Sequence, residues 1–379
     1  MKNKVHRDTN RIAFYCSSIS WGGLEMNTVR YALWMQELGH DVRVYCVDQS
    51  PIHRQAQKDA LPVTLIQRNA KYFDLINSLR IARLLRKDGI QMVWFRDTRD
   101  MDVLHWAKRL FGLKIPFLYQ QAMQFGVRKK DVLHSMRYAC IDAWVSTLPF
   151  LAEQVRTMTD YDTRKLHVVP LGVPTPLRAK KEPAQRLQLS VPETAYTLGL
   201  IGRIDPLKGQ HEAIEALHNL HQRGKKYHLL LVGDSTLGEG NAYREQLQQT
   251  IANFDLQAHV HFHGHLQDIG QFHSAIDVFL MCSKGETFGT VTIEAMAYGT
   301  PIIATDSAGS PEILDHGKCG LLYRPGNSTE LADCIEKLAA HASETQHMTE
   351  RAHQRFLEEY SKTQSVQRMQ TIVQSLLKA

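Results

Sequence analysis

The chain has 379 residues, 43% of them apolar and 22% charged, with a formal net charge of +6. That length allows two domains of ordinary size, and the composition excludes a disordered or fibrous protein. No run of 18 or more apolar residues occurs, which excludes a helical membrane span at the level of sequence.

The N-terminus, Met1 to Arg11, is basic, but the apolar stretch that follows, Ile12 to Cys16, is too short for an export core. Cys16, Cys46, Cys140, Cys282, Cys319 and Cys334 form no Cys-x-x-Cys pair and sit mostly in apolar runs, as reduced core thiols do. The expected location is cytoplasmic. Residues 1–175 hold 26 Lys and Arg against 16 Asp and Glu (+10), whereas 176–379 hold 19 against 23 (−4). The basic half is expected to face something anionic. Zinc-finger spacing, a heptad-bearing basic helix and an aromatic Lys/Arg-Gly-Phe motif are all missing, so nucleic acid is not the expected partner. An anionic membrane surface, at the inner face of the cytoplasmic membrane, or a phosphate-bearing acceptor fits better.

In chain order, Ile12 to Cys16 reads as a buried strand. Ser20-Trp21-Gly22-Gly23-Leu24-Glu25 is a tight loop opening a helix that runs to about Leu38, and Val42 to Val47 is the next strand. Glycines at such a turn can serve positive φ or a close backbone approach. A helix is expected over 72–87, with Phe73, Ile76, Leu79 and Leu84 on one side and Arg80, Arg83, Arg86 and Lys87 on the other. It suits either a solvated face or an anionic lipid surface. Gln91 to Phe95 is a strand ended by Arg96-Asp97. Asp100-Met101-Asp102 has an Asp-x-Asp shape but is expected to be solvent-exposed. After the strand Ile115 to Tyr119 come Gln120 and Gln121, then a loop that mixes Phe125 and Val127 with Arg128, Lys129 and Lys130, suiting solvent or lipid equally. Cys140 to Ser146 is a further strand. Val168 to Pro176 closes the first domain, and the polar stretch Arg178 to Gln188 reads as a linker.

The second half opens on the strand Thr197 to Ile201 and then Gly202-Arg203-Ile204-Asp205-Pro206-Leu207-Lys208-Gly209, where two cations five apart on one turn can share a diphosphate. His228 to Val232 is a strand with Gly233 at its tip. His261, His263 and His265 alternate on one face, a pattern that suits solvent better than a metal. The stretch Glu286-Thr287-Phe288-Gly289-Thr290-Val291-Thr292-Ile293-Glu294-Ala295-Met296-Ala297-Tyr298-Gly299-Thr300-Pro301 reads as loop, helix and stop, followed by the strand Ile302 to Ala304. With the helix starting near Thr290, Glu286 lies ahead of it and Glu294 one turn inside, around free amides and a positive dipole end that can hold a phosphate. Ser328 to Leu377 is helical, with Tyr360 to Leu377 as the last helix.

Glu-x(7)-Glu, with Phe-Gly after the first acid and Glu-Ala-Met-Ala-x-Gly-x-Pro around the second, resembles the signature of retaining nucleotide-sugar glycosyltransferases of family 4 (group 1), which have the GT-B fold. Gly202-Arg203-x(4)-Lys208-Gly209 and the Gly22-Gly23-Leu24-Glu25 loop match the same family in the same order. The resemblance implies two doubly wound Rossmann-like α/β domains with parallel sheets facing across a cleft: 1–175 with a crossover helix 360–379 on the acceptor side, and 176–359 for the nucleotide sugar. It implies that Glu286 contacts donor-sugar hydroxyls and Glu294 the ribose. Gly202 and Gly233 would lie at the donor nucleotide and the amides near Phe288, Gly289, Thr290 and Val291 would face its diphosphate, with Arg203 and Lys208 neutralising it as it leaves. Gly22 and Gly23 would shape the acceptor side. Where the family often carries a histidine facing the acceptor, this chain has Gln120 and Gln121, which hydrogen-bond but take no proton. The base is then elsewhere, or the donor phosphate itself removes the proton. The expected activity is metal-independent transfer, with retention, from a nucleotide sugar to a glycan or glycolipid hydroxyl in lipopolysaccharide, capsule or another surface glycan. No cofactor is expected beyond that co-substrate, and no metal. A nucleotide-sugar epimerase of the same architecture and a non-catalytic nucleotide-sugar binding protein remain as alternatives.

Overall fold

The computed structural model describes residues 10–70, 73–235 and 241–378. The chain divides into two compact units, Met1–Pro170 with Thr363–Ala379, and Leu171–Lys362. The borders fall after 170 and 362, a few residues from the expected 175 and 359. Most of the basic N-terminal stretch, residues 1–9, and Tyr72 lie outside the described residues.

The first unit is built on a seven-stranded parallel sheet of β1 (Arg11–Cys16), β2 (Asp41–Val47), β3 (Val63–Ile66), β4 (Met92–Phe95), β5 (Phe117–Gln120), β6 (Ala143–Ser146) and β7 (Leu166–Val168), in the order β3-β2-β1-β4-β5-β6-β7. The second holds six parallel strands, β8 (Thr197–Ile201), β9 (His228–Val232), β10 (Val260–His263), β11 (Val278–Met281), β12 (Ile302–Thr305) and β13 (Leu321–Tyr323), in the order β10-β9-β8-β11-β12-β13. Every residue of β4, β5, β6, β11 and β12 is buried. Parallel strands covered by helices on both faces need such unbroken apolar runs rather than alternation. Each sheet reverses its winding once, between β1 and β4 and between β8 and β11. Ligands of doubly wound sheets bind outside the carboxyl ends of the strands at such reversals.

The last helix, Lys362–Lys378, belongs to the first unit from Thr363 on. The Ser365 hydroxyl lies 2.6 Å from the Tyr31 hydroxyl and donates to Pro170 O at 2.7 Å, while Gln370 Oε1 sits 2.9 Å from His40 Nε2. All six cysteines are free thiols, five of them buried. Among the described residues no helix is long and apolar enough to cross a membrane.

Several sequence expectations fail for identifiable reasons. The basic helix spans Leu75–Lys87 and buries Ser78, Ile81, Ala82 and Leu85, so its inner face is turned from the expected one and Phe73 and Ile76 stay about two-thirds exposed, at 67% and 69%. Asp100 and Asp102 are not solvent-exposed: the first accepts from the Ser17 hydroxyl at 2.5 Å and from Asn69 Nδ2 at 3.0 Å, and the second sits 2.5 Å from Arg137 Nε. The presumed linker 178–188 is anchored to the second unit. It contains the helix Pro183–Gln188, whose buried Arg186 donates to Asp277 Oδ2 at 2.9 Å and to the carbonyls of Glu193 and Ala195. His261 is half-buried on β10, with Nε2 2.9 Å from His228 Nδ1, and His265 lies beyond the strand. No group of three or more His, Cys, Asp or Glu among the described residues is placed to hold a metal.

Buried imidazoles set an acid limit on stability. Burial pushes His273 down to about 3 and His228 to about 4 in the second unit, and His105 to about 4 in the first. These rings are neutral in the fold, whereas a free ring titrates near 6.5, so between those values the unfolded chain binds more protons and stability falls as pH falls. Asp100 works in the opposite sense, because burial and the Asp97 charge push its carboxyl up to about 8. His273 Nδ1 lies 2.9 Å from Thr300 Oγ1, a contact that glutamine can keep without a titrating ring. In urea unfolding followed by circular dichroism, His273→Gln is expected to remove about 2 kcal/mol from the loss between pH 7 and pH 5. An unchanged pH dependence would show that this ring is not held neutral.

Candidate functional site

In the second unit two chain segments converge at the reversal between β8 and β11. β8 runs out at Ile201 into Gly202, whose N–H donates to Val232 O at 2.9 Å, and Ile204 N–H donates to Asp234 O at 2.9 Å. The two strand ends come so close that a Cβ on Gly233 (φ +143°) would stand 2.0 Å from Gly202 O. Only glycine fits there. The chain then turns through Pro206–Lys208, with Asp205 Oδ1 accepting from Leu207 N–H at 2.9 Å.

From the other side, β11 leads through Cys282 and Ser283 to Lys284, whose N–H donates to Leu207 O at 3.3 Å. This backbone tie brings the two motifs together. Lys208 Nζ donates to Glu286 Oε2 at 2.6 Å, with both side chains about a quarter exposed (27% and 25%). Arg203, on the same turn, is 58% exposed with Nη2 3.4 Å from Asp205 Oδ2.

The helix Thr290–Tyr298 begins directly after this loop. Gly289 holds its N-cap in the left-handed region (φ +67°, ψ +60°), and Gly299 ends it in the same conformation. Glycine at the cap supplies no side-chain oxygen, and the first amides bonded to the turn are those of Thr292 and Ile293, to Gly289 O. The N–H groups of Thr290 and Val291 have no acceptor among the described residues. Phe288 is buried, its ring centroid 6.4 Å from that of Tyr360, and Glu294 is half-buried in the second turn of the helix. Two cations on one turn, a carboxylate beside Lys208 and two amides without an acceptor at the positive end of a helix can together hold a diphosphate and the hydroxyls next to it.

One neighbour escaped sequence reasoning. Lys284 Nζ lies 3.5 Å from Glu212 Oε1, a buried carboxylate that also accepts from the Tyr323 hydroxyl at 3.1 Å. A lysine two positions before Glu286 was the available signal.

The remaining predicted residues sit at carboxyl ends of strands in the first unit. Gly22 is the N-cap of the helix Gly23–Glu37 with extended backbone (φ −164°), and a Cβ on Gly23 would meet nothing within 4 Å. Neither glycine is demanded by packing inside this unit, and the space beside Gly23 is open. Glu25 is buried and accepts from Ser18 Oγ at 2.5 Å. Gln120 and Gln121 are both fully buried. Gln121 is committed to the interior: its Oε1 accepts from Trp144 Nε1 at 3.2 Å and Ser146 Oγ at 2.8 Å, and its Nε2 donates to Met123 O at 3.0 Å. The expected contact of Gln121 with an acceptor is therefore not available in this arrangement. Gln120 Oε1 accepts from Trp94 Nε1 at 3.2 Å and Arg96 Nη1 at 3.0 Å, while its Nε2 has no partner.

Two family models match the chain: glycosyltransferase family 4 over residues 21–176 and glycosyl transferases group 1 over residues 181–355. The chain is 32% identical over 177 residues to a lipopolysaccharide core biosynthesis glycosyltransferase of Rhizobium meliloti, covering 47% of this chain and 49% of that relative. It is 28% identical over 278 residues to a GDP-mannose-dependent alpha-(1-6)-phosphatidylinositol monomannoside mannosyltransferase of Mycobacterium tuberculosis, covering 69% of each. The chain thus spans about half the length of the first of these relatives and about two thirds of the second. Among solved structures it is similar to a glycosyltransferase from Rickettsia africae, with a TM-score of 0.85 over 98% of this chain and 99% of that one at 21% identity.

Proposed function

The chain belongs to the group 1 glycosyl transferases and has their GT-B fold of two parallel-sheet Rossmann-like domains, and from that premise we propose that it moves a sugar from a nucleotide-sugar donor to a hydroxyl of a glycan or glycolipid acceptor, with retention and without a metal. The observation that carries this reading is the Lys208–Glu286 contact of 2.6 Å beside the uncapped start of the helix Thr290–Tyr298. On this reading the diphosphate displaces Glu286 from Lys208 and lies against the amides of Thr290 and Val291, with Arg203 reaching the same phosphates. Glu286, released, orients the donor-sugar hydroxyls, and Glu294 holds the ribose. Gly22 and Gly23 shape the acceptor side. With glutamine where a basic ring could stand, the proton of the acceptor hydroxyl passes to the departing phosphate oxygen. The acceptor class in this reading is a surface glycan such as lipopolysaccharide or capsule, supported by the lipopolysaccharide core relative of Rhizobium meliloti, made on the cytoplasmic side of the membrane, with the basic first unit suited to an anionic lipid surface.

The test is a panel of nucleotide sugars with glycan acceptors in the presence of EDTA, followed by nuclear magnetic resonance. Retained anomeric configuration in the product and full activity in EDTA are expected. An inverted product, loss of activity in EDTA, or isomerised donor in the absence of acceptor would each overturn this reading. Gly23→Ala probes the acceptor side separately. With open space beside that position, stability should change by less than about 1 kcal/mol, while the KM for the acceptor rises several-fold and that for the donor does not.

A further inference from the structure

Arg96 follows the last residue of β4 and is only 3% exposed. Its Nη1 donates to Gln120 Oε1 at 3.0 Å, and its Nε has no acceptor. No carboxylate of the described residues pairs with it. The groups that bear on its charge are the phenols of Tyr31 and Tyr119, the thiol of Cys16 and a second cation, Arg30. Burial, with a smaller push from Arg30, lowers its guanidinium to about 10, still far above neutrality, so the charge is kept. The amide Nε2 of Gln120 beside it is likewise buried and without an acceptor. Two buried donors, one of them a full positive charge, thus lie without acceptors at the carboxyl ends of β4 and β5, next to the sheet reversal at β1. Burying a charge without a counter-ion is among the costliest arrangements a fold can hold. A guanidinium fork and an amide N–H are donors matched to the oxygens of a phosphate or carboxylate.

We propose that Arg96 and Gln120 form an oxyanion-binding subsite that takes a phosphate or carboxylate group of the acceptor. The assignment rests on the glycosyltransferase reading for the word acceptor, but its test does not. The melting temperature of the full-length protein is measured in inorganic phosphate, in acetate and in sodium chloride of equal ionic strength, for the wild type and for Arg96→Met. Phosphate held by Lys208 and Arg203 contributes equally to both proteins and cancels. The expected results are that Arg96→Met melts no lower than the wild type in chloride, since an unpaired buried charge is removed, and that it loses part of the stabilisation by phosphate or acetate. Loss of the phosphate effect assigns a phosphate, and loss of the acetate effect a carboxylate. If Arg96→Met melts lower in chloride, or keeps the whole stabilisation by both anions, the subsite is overturned. Gln120→Glu gives a second reading that does not depend on Arg96→Met folding, because it supplies the missing anion from within. It should raise the melting temperature in chloride and abolish the extra effect of the anions, and a lowered melting temperature would contradict the proposal. With an anionic acceptor in hand, Arg96→Met should raise the acceptor KM about tenfold or more and leave the donor KM unchanged. Absence of any transfer would instead count against the proposed activity and leave the anion titration to decide the subsite.

Discussion

Replacing Lys208 by alanine lowers turnover about a hundredfold, the loss seen when a group that stabilises transition-state charge is removed. Two effects act together. On the proposed reading the leaving diphosphate loses one of its two cations, and Glu286, whose Oε2 lies 2.6 Å from Lys208 Nζ, loses its partner and would repel the phosphates. The second effect has its own signature: in the Lys208→Ala background, adding Glu286→Gln should cost less than Glu286→Gln costs alone, because the repulsion goes with the charge. Unfolding does not account for the loss. Both partners are about a quarter exposed, so the pair contributes only on the order of 1 kcal/mol to stability. Measured release of nucleoside diphosphate in the presence of acceptor, beside a circular dichroism melt of the same sample, checks both halves. A turnover within a factor of a few of the wild type would remove Lys208 from the reaction.

Gly233→Ala unfolds or severely loosens the second unit, at a cost on the order of 4 kcal/mol. The added Cβ would stand 2.0 Å from Gly202 O and 2.8 Å from Gly202 C, backbone atoms that no rotamer change can move, and the residue would keep a φ of +143°. Strain of this kind and forced overpacking each cost about 1 to 3 kcal/mol. The displaced backbone is that of Gly202 and Arg203, so donor affinity should fall with stability, whereas Gly23→Ala leaves stability nearly intact. Urea unfolding by circular dichroism measures the cost. A change below about 1 kcal/mol would mean that the ends of β8 and β9 are not packed as described.

The second-unit site was legible because its parts are local in sequence. An apolar strand, a glycine and a short cationic turn fix where Arg203 and Lys208 must lie, and Gly289 and Gly299 mark both ends of the helix that carries Glu294. Once the sheet order is known, the meeting of Lys208 with Glu286 follows, although 78 positions separate them. The first unit was less legible because its polar groups owe their burial to distant elements. Asp100 reads as a surface acid until Ser17 and Asn69 are seen to close over it. Gln121 looks like a substrate contact until Trp144 and Ser146 claim its oxygen. The same holds for one stretch of the second unit, where Arg186 reads as linker because its partner, Asp277, is 91 positions away. Periodicity placed the helix Leu75–Lys87 but turned its inner face wrongly, since Ser78 and Ala82 are buried while Phe73 and Ile76 are not.

Calorimetric titration of the full-length protein with nucleoside diphosphates, against the matching nucleosides, tests the central claim most directly. One diphosphate should bind at least a hundredfold more tightly than its nucleoside, the advantage expected from two charge-assisted contacts, and that advantage should be largely lost when Arg203 and Lys208 are both replaced by alanine. Equal affinity for nucleoside and diphosphate, or an advantage that survives the double replacement, would contradict it.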